Sequence, residues 1–510
     1  MDTLASIFSH SSLSPSVIIP NGGPTLSYPG LHGHVKIFQY QLIESFDLKP
    51  QEVISIVLPN SLEFTVSFLA ITLLRNIAAP LNPGYTENEF KFYFEDSKCK
   101  LVILPTGWVQ QNKPAVKAAR HFNIEILEMN WDDSTKSIKT YFQNKSTLVN
   151  NEKHHSYPLD VALLLHTSGT TGRPKGVPLT HKNITTTMKN IGNTYKLTPD
   201  DRTLLVMPLF HVHGLIGGML STLLSGGTVV IPPKFSATTF WKDFLENECT
   251  WYTAVPTIHQ ILLRHPPPSG GAPKLRFIRS CSSSLAPNIL FELEKTFNAP
   301  VLEAYAMTEA AHQMTSNPLP PLRHKPGSVG ISQGVQITIL NESGKHVEEG
   351  EVCVKGSNIT LGYLNNVSAN QSSFTKDGWF RTGDQGKFDE EGYLFLTGRI
   401  KELINRGGEK ISPLELDSIL LSHPAVSEAV SFAVPDDIYG QEVHAAIVFK
   451  QGQKVTEQDL QIFCGNKIAK FKIPKKIYFI DMMPKTATGK IQRKNISEKL
   501  FKPDKIKANL

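Results

Sequence analysis

The sequence predicts an α/β protein: a large N-terminal domain with mixed, largely parallel sheets and a small β-rich subdomain, followed by a small α+β C-terminal domain. Three observations predict it. Up to Ile400, apolar runs of strand length alternate with segments of helical periodicity, the pattern left by βαβ units. Between residues 326 and 398 the runs shorten, and Gly, Asn and Asp separate them, as in β structure joined by tight turns. After Lys401 helical and strand patterns mix within the size of one ordinary domain. The expected division is therefore 1–400 and 401–510.

The first strand candidate is Glu52–Asn60, an apolar run ending in turn residues. A helical stretch follows from Ser61 to Arg75, with Phe64, Phe68, Leu69 and Leu73 at helical spacing. Lys100–Pro105 reads as a buried strand, Asn112–Met129 as a helix then a strand, and Asp160–His166 as another strand. Residues 266–273, rich in Pro and Gly, read as a surface loop. Val335–Leu340, Glu351–Gly356 and Tyr393–Gly398 are the short strands of the β-rich part. In the last domain Ser412-Pro413-Leu414-Glu415 has the form of a capping box with Pro at the first helical position. Leu416, Ile419 and Leu420 then share a face, and Pro424 ends the helix. Val426–Val434, Glu442–Phe449 and Lys476–Asp481 read as strands, with a helix near Asp459–Ile468. No internal repeat is visible.

Composition narrows the function classes. At 510 residues with 40% apolar side chains the chain can fill full cores, and 19% charged residues are too few for a disordered chain. The net charge is +6. From Lys401 to Leu510 there are 18 Lys/Arg against 13 Asp/Glu, a difference of 5, so the excess sits in the last fifth. Such a face suits an anionic ligand as well as plain solvation. No zinc-finger or basic-helix pattern accompanies it, which argues against nucleic acid. The five cysteines are scattered, with no CxxC pair or metal spacing, as in a reducing compartment. The N-terminus lacks a secretory pattern, and no apolar run approaches the ~20 residues of a membrane span. A cytoplasmic location is expected. Lys507-Ala508-Asn509-Leu510 is a degenerate match to the Ser-Lys-Leu peroxisomal address, which keeps the peroxisome as the alternative. Monomer and dimer both stay open.

The strongest local signal is Leu163–His181. A strand runs into Thr167-Ser168-Gly169-Thr170-Thr171-Gly172-Arg173-Pro174-Lys175-Gly176. Glycines let backbone N–H groups turn toward an anion, the hydroxyls add donors, and Lys175 adds charge. This is the chemistry of a triphosphate cradle. It is not a Walker A loop, which needs GK[ST] leading straight into a helix. Here Pro174 precedes the lysine, Gly176 and Pro178 follow it, and no Ser or Thr comes next. A Gly/Ser/Thr linker is the plainer reading, but a linker would not begin on a buried strand.

This decapeptide resembles the signature loop of the acyl-adenylate-forming superfamily, which includes acyl-CoA synthetases, 4-coumarate–CoA ligases, beetle luciferases and peptide-synthetase adenylation domains. Five further segments resemble that superfamily's motifs in its order: Pro208–Gly214, Glu303–Ala310, Trp379–Asp384, Gly398–Pro413 and Pro484–Arg493. Together they span nearly the whole chain. The resemblance implies an AMP-binding N-terminal domain and a mobile C-terminal lid, with ATP, Mg2+ and coenzyme A as cofactor and co-substrates. A carboxylate first becomes an acyl-AMP, then a thioester.

The resemblance also implies roles. Thr167 to Thr171 with Gly172 and Lys175 would hold the β- and γ-phosphates. Glu303, Ala304, Tyr305, Ala306 and Met307 would border adenine, with Tyr305 against the ring. Thr308 would bond the α-phosphate and Glu309 would hold Mg2+. Asp384 would accept from the ribose hydroxyls, with Arg399 nearby. Lys490, on the Thr-Ala-Thr-Gly arm, would be catalytic for adenylation, beside Thr308 and Glu309. Lys401 would be the hinge, and Arg406, Gly407 and Gly408 would face coenzyme A in the second half-reaction.

The acyl end is read from polar residues. Fatty or aromatic acids need apolar tunnels, whereas His211, His213, Ser282, Ser283, Ser284 and His312 are polar. Ser280–Pro287 stands where many relatives have a Gly/Ala-rich turn, which adds hydroxyl donors. A solvated surface position is the plainer reading of His312. With Met207–Leu215 and Glu303–Met314, these features most resemble the plant and fungal oxalate–CoA ligase branch, so a small dicarboxylic acid, oxalate, is the expected partner. Ligation of 4-coumarate or a medium-chain fatty acid is the alternative, and carrier-protein loading a second. No carrier domain is expected downstream, because the chain ends at Leu510.

Overall fold

The computed structural model describes residues 2–142, 155–167, 173–268, 274–486 and 488–500. Among them, two large sheets form the body. In the first, Val53–Ile56, Ile77–Pro80, Leu101–Pro105, Glu125–Asp132 and Val161–Thr167 run parallel. Ser137–Phe142 and Lys175–Thr180 add antiparallel edges. In the second, Pro15–Ile18, Arg202–Leu204, Thr228–Val230, Trp251–Ala254, Phe277–Ser280 and Val301–Met307 are parallel. His312–Ser316 and Thr25–Ser27 are among the antiparallel additions to its two sides.

Local chemistry sets the helices between these strands. Leu62–Leu73 starts where the Ser61 side chain accepts from the Phe64 N–H, which satisfies one of the orphan donors of a helix start. Residues on every side of it are buried, Phe64, Val66, Phe68, Leu69 and Ile71 included, as befits a helix inside the core. It is more thoroughly buried than the single-face spacing suggested. Pro114 opens Pro114–His121, where its missing N–H costs nothing.

Gln336–Leu340, Glu349–Lys355, Phe380–Phe388 and Leu394–Arg399 form a four-stranded antiparallel sheet. Ile339, Val352 and Phe380 of that sheet join the main core. Beyond it, Ile404–Arg406, Glu409–Ile411, Val426–Asp436, Gly440–Phe449 and Lys476–Phe479 make a separate sheet. Its core is its own, built on Leu420, Val426, Ala445, Ile447 and Leu460. The capping box at Ser412 is half formed. Ser412 Oγ accepts from Glu415 N at 3.2 Å, but the Glu415 carboxylate is taken by Lys472 at 2.8 Å. The C-terminal part touches the body through Arg264 to Ser427 and Asn288 to the Leu421 carbonyl, both at 3.1 Å. No helix among the described residues is long and apolar enough to cross a membrane. The described chain is thus α/β with mixed, largely parallel sheets, as the sequence predicts.

Candidate active site

Parallel strands bring their C-terminal ends to one edge of a sheet, and ligand sites of α/β folds gather there. In the nine-stranded sheet, Trp251–Ala254, Phe277–Ser280 and Val301–Met307 end side by side. Thr253, Arg279, Ser282 and the Tyr305–Glu309 segment therefore converge although they are far apart in sequence.

The expected nucleotide side is built on the last of these strands. Ala304 and Tyr305 are buried, and Ala306 and Met307 are half-buried. Thr308–Ala310 is one turn of 3-10 helix, and Met307 pairs with His312 across it. Thr308 and Glu309 thus sit at the tip of a hairpin. Tyr305 Oη donates to Asp384 Oδ2, and Arg399 Nε meets Asp384 Oδ1 at 2.9 Å. Asp384 and Arg399 face each other in register on adjacent strands. Burial first, and the Asp384 charge second, hold the Tyr305 phenol far above its usual range, so it remains a neutral donor.

Glu309 is 7% exposed. Its Oε1 accepts from Tyr363 Oη at 2.8 Å, and Lys175 Nζ lies 4.5 Å from the centroid of the same tyrosine ring. Burial raises the Glu309 pKa. Thr167 and Lys175 pair across two antiparallel strands, so the chain resumes at Lys175 as a strand and not as a helix. Ser168, Gly169, Thr170, Thr171 and Gly172 lie outside the described residues. Among the described residues no three His, Cys, Asp or Glu side chains converge as metal ligands. One carboxylate beside a lysine suits a hard ion held mainly by phosphate oxygens and water, so Glu309 fits the expected Mg2+.

Glu303, expected to border adenine, carries a buried side chain, 2% exposed, and Oε1 accepts from Leu285 N at 3.0 Å. Its Oε2 has no partner among the described residues. Burial pushes its pKa up to about 8.

Lys490 stands between the two halves. The Thr486–Lys490 segment closes on itself: Thr486 N donates to the Lys490 carbonyl at 2.8 Å, and Lys490 N to Thr486 Oγ1 at 3.1 Å. Thr257 Oγ1, on the body, donates to the Gly489 carbonyl at 3.2 Å. Lys490 is exposed, yet enough of the protein lies around it to desolvate its charge. That desolvation first, with the Arg399 charge second, lowers its pKa. Its charge reaches His211, which burial and then Lys490 push down to about 4. Lys401 lies exposed in the turn Ile400–Glu402 that leads into the last sheet. Arg406 pairs with Glu442 at 2.6 Å and stacks on Tyr439 at 4.0 Å. Those contacts, and Gly407 and Gly408 at the hairpin tip with φ of 58° and 93°, belong to the C-terminal sheet and not to the Tyr305–Asp384 cluster.

The expected acyl side starts at a π-helix, His213–Leu220, a form often found at functional sites. His213 is fully buried. Its Nδ1 lies 3.0 Å from Ser282 Oγ, and its Nε2 lies 2.6 Å from Thr253 Oγ1. His312 stacks on it, with centroids 5.2 Å apart. The surface reading of His312 is thus overturned: at 1% exposure it is core, and its Nε2 has no partner among the described residues. The cause is the hairpin, which turns His312 back under Met307. Ser282 takes a left-handed φ of 75°. Ser283 bonds only back to the Ser282 carbonyl, at 2.9 Å, and Ser284 is exposed. Of the three serines, only Ser282 meets His213.

Arg279 and Thr253 were missed by sequence reasoning. Arg279 is fully buried and donates to Tyr195 Oη at 2.8 Å, Thr253 Oγ1 at 3.1 Å and Gln313 Oε1 at 3.1 Å. The available signal was an arginine closing the short apolar segment Phe277–Ile278, directly before the serine-rich turn.

Comparison with known proteins follows the same lines. Residues 12–364 match the AMP-binding enzyme family, and residues 415–490 match the AMP-binding enzyme C-terminal domain. An oxalate–CoA ligase of Saccharomyces cerevisiae is 49% identical, covering 97% of this chain and 96% of that protein. One from Arabidopsis thaliana is 50% identical over 94% of each. The ATP-bound crystal structure of MatB from Rhodopseudomonas palustris superposes with a TM-score of 0.86 at 28% identity, covering 97% of this chain and 98% of that one.

Proposed function

The chain belongs to the AMP-binding enzyme family, and from that premise we propose that it joins oxalate to coenzyme A. The reaction is oxalate + ATP + CoA giving oxalyl-CoA + AMP + pyrophosphate. A carboxylate oxygen attacks the α-phosphorus and pyrophosphate leaves. The CoA thiolate then attacks the activated carbonyl and AMP leaves. The identity to oxalate–CoA ligases over nearly the full chain supports the substrate. The observation that carries the reading is the buried polar acyl end, His213 bonded to Ser282 with His312 stacked behind. An aromatic or fatty acid would leave His312 Nε2, which has no partner among the described residues, unpaired.

In this proposal the chain around Thr167 and Lys175 grips the terminal phosphates, and Asp384, held by Arg399 and Tyr305, accepts from the ribose. Thr308 donates to the α-phosphate. Glu309 holds Mg2+, which when bound neutralises phosphate charge. Lys490 bridges the carboxylate and α-phosphate, bringing two anions together by fixed positive charge. Arg406, Gly407 and Gly408 act later, at coenzyme A, after rotation about Lys401. Cytoplasm is the proposed location; the C-terminal tripeptide lies outside the described residues.

Pyrophosphate release over oxalate, malonate, acetate, octanoate and 4-coumarate, with and without coenzyme A, tests the proposal. Turnover confined to oxalate and dependent on coenzyme A is expected. Preference for octanoate or coumarate would instead favour an apolar acid.

A further inference from the structure

We infer that Arg279 is a positioning residue for the acid: through Thr253 it fixes the His213 proton on Nδ1 and makes the Ser282 hydroxyl a donor to the substrate's second carboxylate. The inference rests on the dicarboxylate reading above.

Its basis is a buried cation with no anion beside it. Arg279 makes no ion pair among the described residues, and its three partners are two hydroxyls and an amide. A charge so buried is costly unless something compensates it. Hydrogen bonds compensate part, and an anionic ligand nearby would compensate more.

The direction of each bond follows from what each group can do. Guanidinium only donates, so Thr253 Oγ1 accepts from Arg279 Nη1. The two residues face each other in register on adjacent parallel strands, which fixes the geometry. The other partner of Thr253 Oγ1 is His213 Nε2, 2.6 Å away. Thr253 is buried and its hydroxyl hydrogen has no other acceptor among the described residues, so leaving it unpaired would be costly; it points at Nε2, and Nε2 accepts. A neutral imidazole has one N–H, and it is then at Nδ1. Burial first, and the Arg279 charge second, keep His213 neutral by lowering its pKa far below the usual range. Nδ1–H donates to Ser282 Oγ at 3.0 Å. Having accepted there, Ser282 can donate its own hydrogen onward. Its left-handed backbone is an uncommon conformation for serine, of the kind that gathers at functional sites.

The chain runs charge, hydroxyl, imidazole, hydroxyl, and each bond polarises the next. A carboxylate at its end meets an oriented donor. An apolar acyl group would leave that donor unpaired, and sites built to hydrogen-bond reject analogues lacking the partner.

The test has a spectroscopic arm and a kinetic arm. In the full chain labelled with 15N-histidine, two-bond proton–nitrogen correlations report the tautomer. The His213 signal is assigned by its loss in His213→Gln. The wild type is expected in the Nδ1–H form, Thr253→Val to shift toward Nε2–H, and Thr253→Ser to return to Nδ1–H. In kinetics, Thr253→Val, which keeps the side-chain shape, should raise the oxalate KM by about tenfold or more while the ATP KM holds. Thr253→Ser should restore it. An Nε2–H tautomer in the wild type overturns the inference, as does an equal KM rise in both Thr253 variants. The Nδ1–H tautomer with no oxalate turnover would leave the relay standing and remove the dicarboxylate reading instead.

Discussion

Gly217→Ala should disable the acid site while leaving the nucleotide site intact. A methyl group built on Gly217 would stand 2.7 Å from His312 Cδ2, closer still to Nε2, and 3.4 Å from Arg279 Nη1. Ordinary carbon contacts begin near 3.4 Å, so the ring must retreat by roughly 0.7 Å or more. It cannot retreat freely, because His213 stacks on it at 5.2 Å. Forcing a methyl into a packed site costs about 1–3 kcal/mol. Taken out of acid binding, that is roughly a 5- to 150-fold rise in KM. Initial rates of pyrophosphate release against oxalate and against ATP separate the two sites. The expected result is a raised oxalate KM, an ATP KM near that of the wild type, and a thermal midpoint lower by a few degrees. A folded variant with unchanged oxalate KM would refute the placement of His312 beside the acid.

Three further outcomes follow from the geometry. Glu303, with its pKa raised from an unfolded value of 4.5 to about 8, contributes stability below the lower value and loses it as pH rises to the upper one. The fall, of order a few kcal/mol, should be absent in Glu303→Gln, so thermal midpoints of the two proteins should diverge between pH 5 and 8 in favour of the variant. Asp384→Asn breaks the 2.9 Å pair with Arg399; about 1.5–3 kcal/mol for a charged hydrogen bond should appear in the ATP KM and not in the oxalate KM. Thr257→Val removes the bond to the Gly489 carbonyl, worth about 1 kcal/mol. Stopped-flow adenylation should slow about fivefold, while thioester formation from preformed acyl-AMP stays unchanged.

The strands, including the one that follows the glycine-rich loop, were legible because local chemistry decides them. Pro174, Gly176 and Pro178 exclude a helix after the loop, and the chain continues as the strand Lys175–Thr180. Family resemblance drew attention to His213, Ser282 and His312, but their meeting depends on strand order, which links residues 69 positions apart. Arg279 left only a faint trace, an arginine closing a short apolar segment; its significance lies in the lack of a counter-charge around it among the described residues, and no spacing reveals that. The π-helix at His213 was equally hidden, since its glycines fit several backbone paths. Glu415 shows the same limit on a small scale. The local pattern paired it with the start of its own helix, and Lys472, 57 residues away, took it instead.

Oxalate labelled with 18O at all its oxygens tests the central claim most directly. With ATP and coenzyme A, mass spectrometry should find one labelled oxygen in AMP and the remaining label in the CoA thioester, because the attacking carboxylate oxygen stays on phosphorus when the thiol displaces it. Unlabelled AMP, or ADP with labelled phosphate, would contradict the adenylate route.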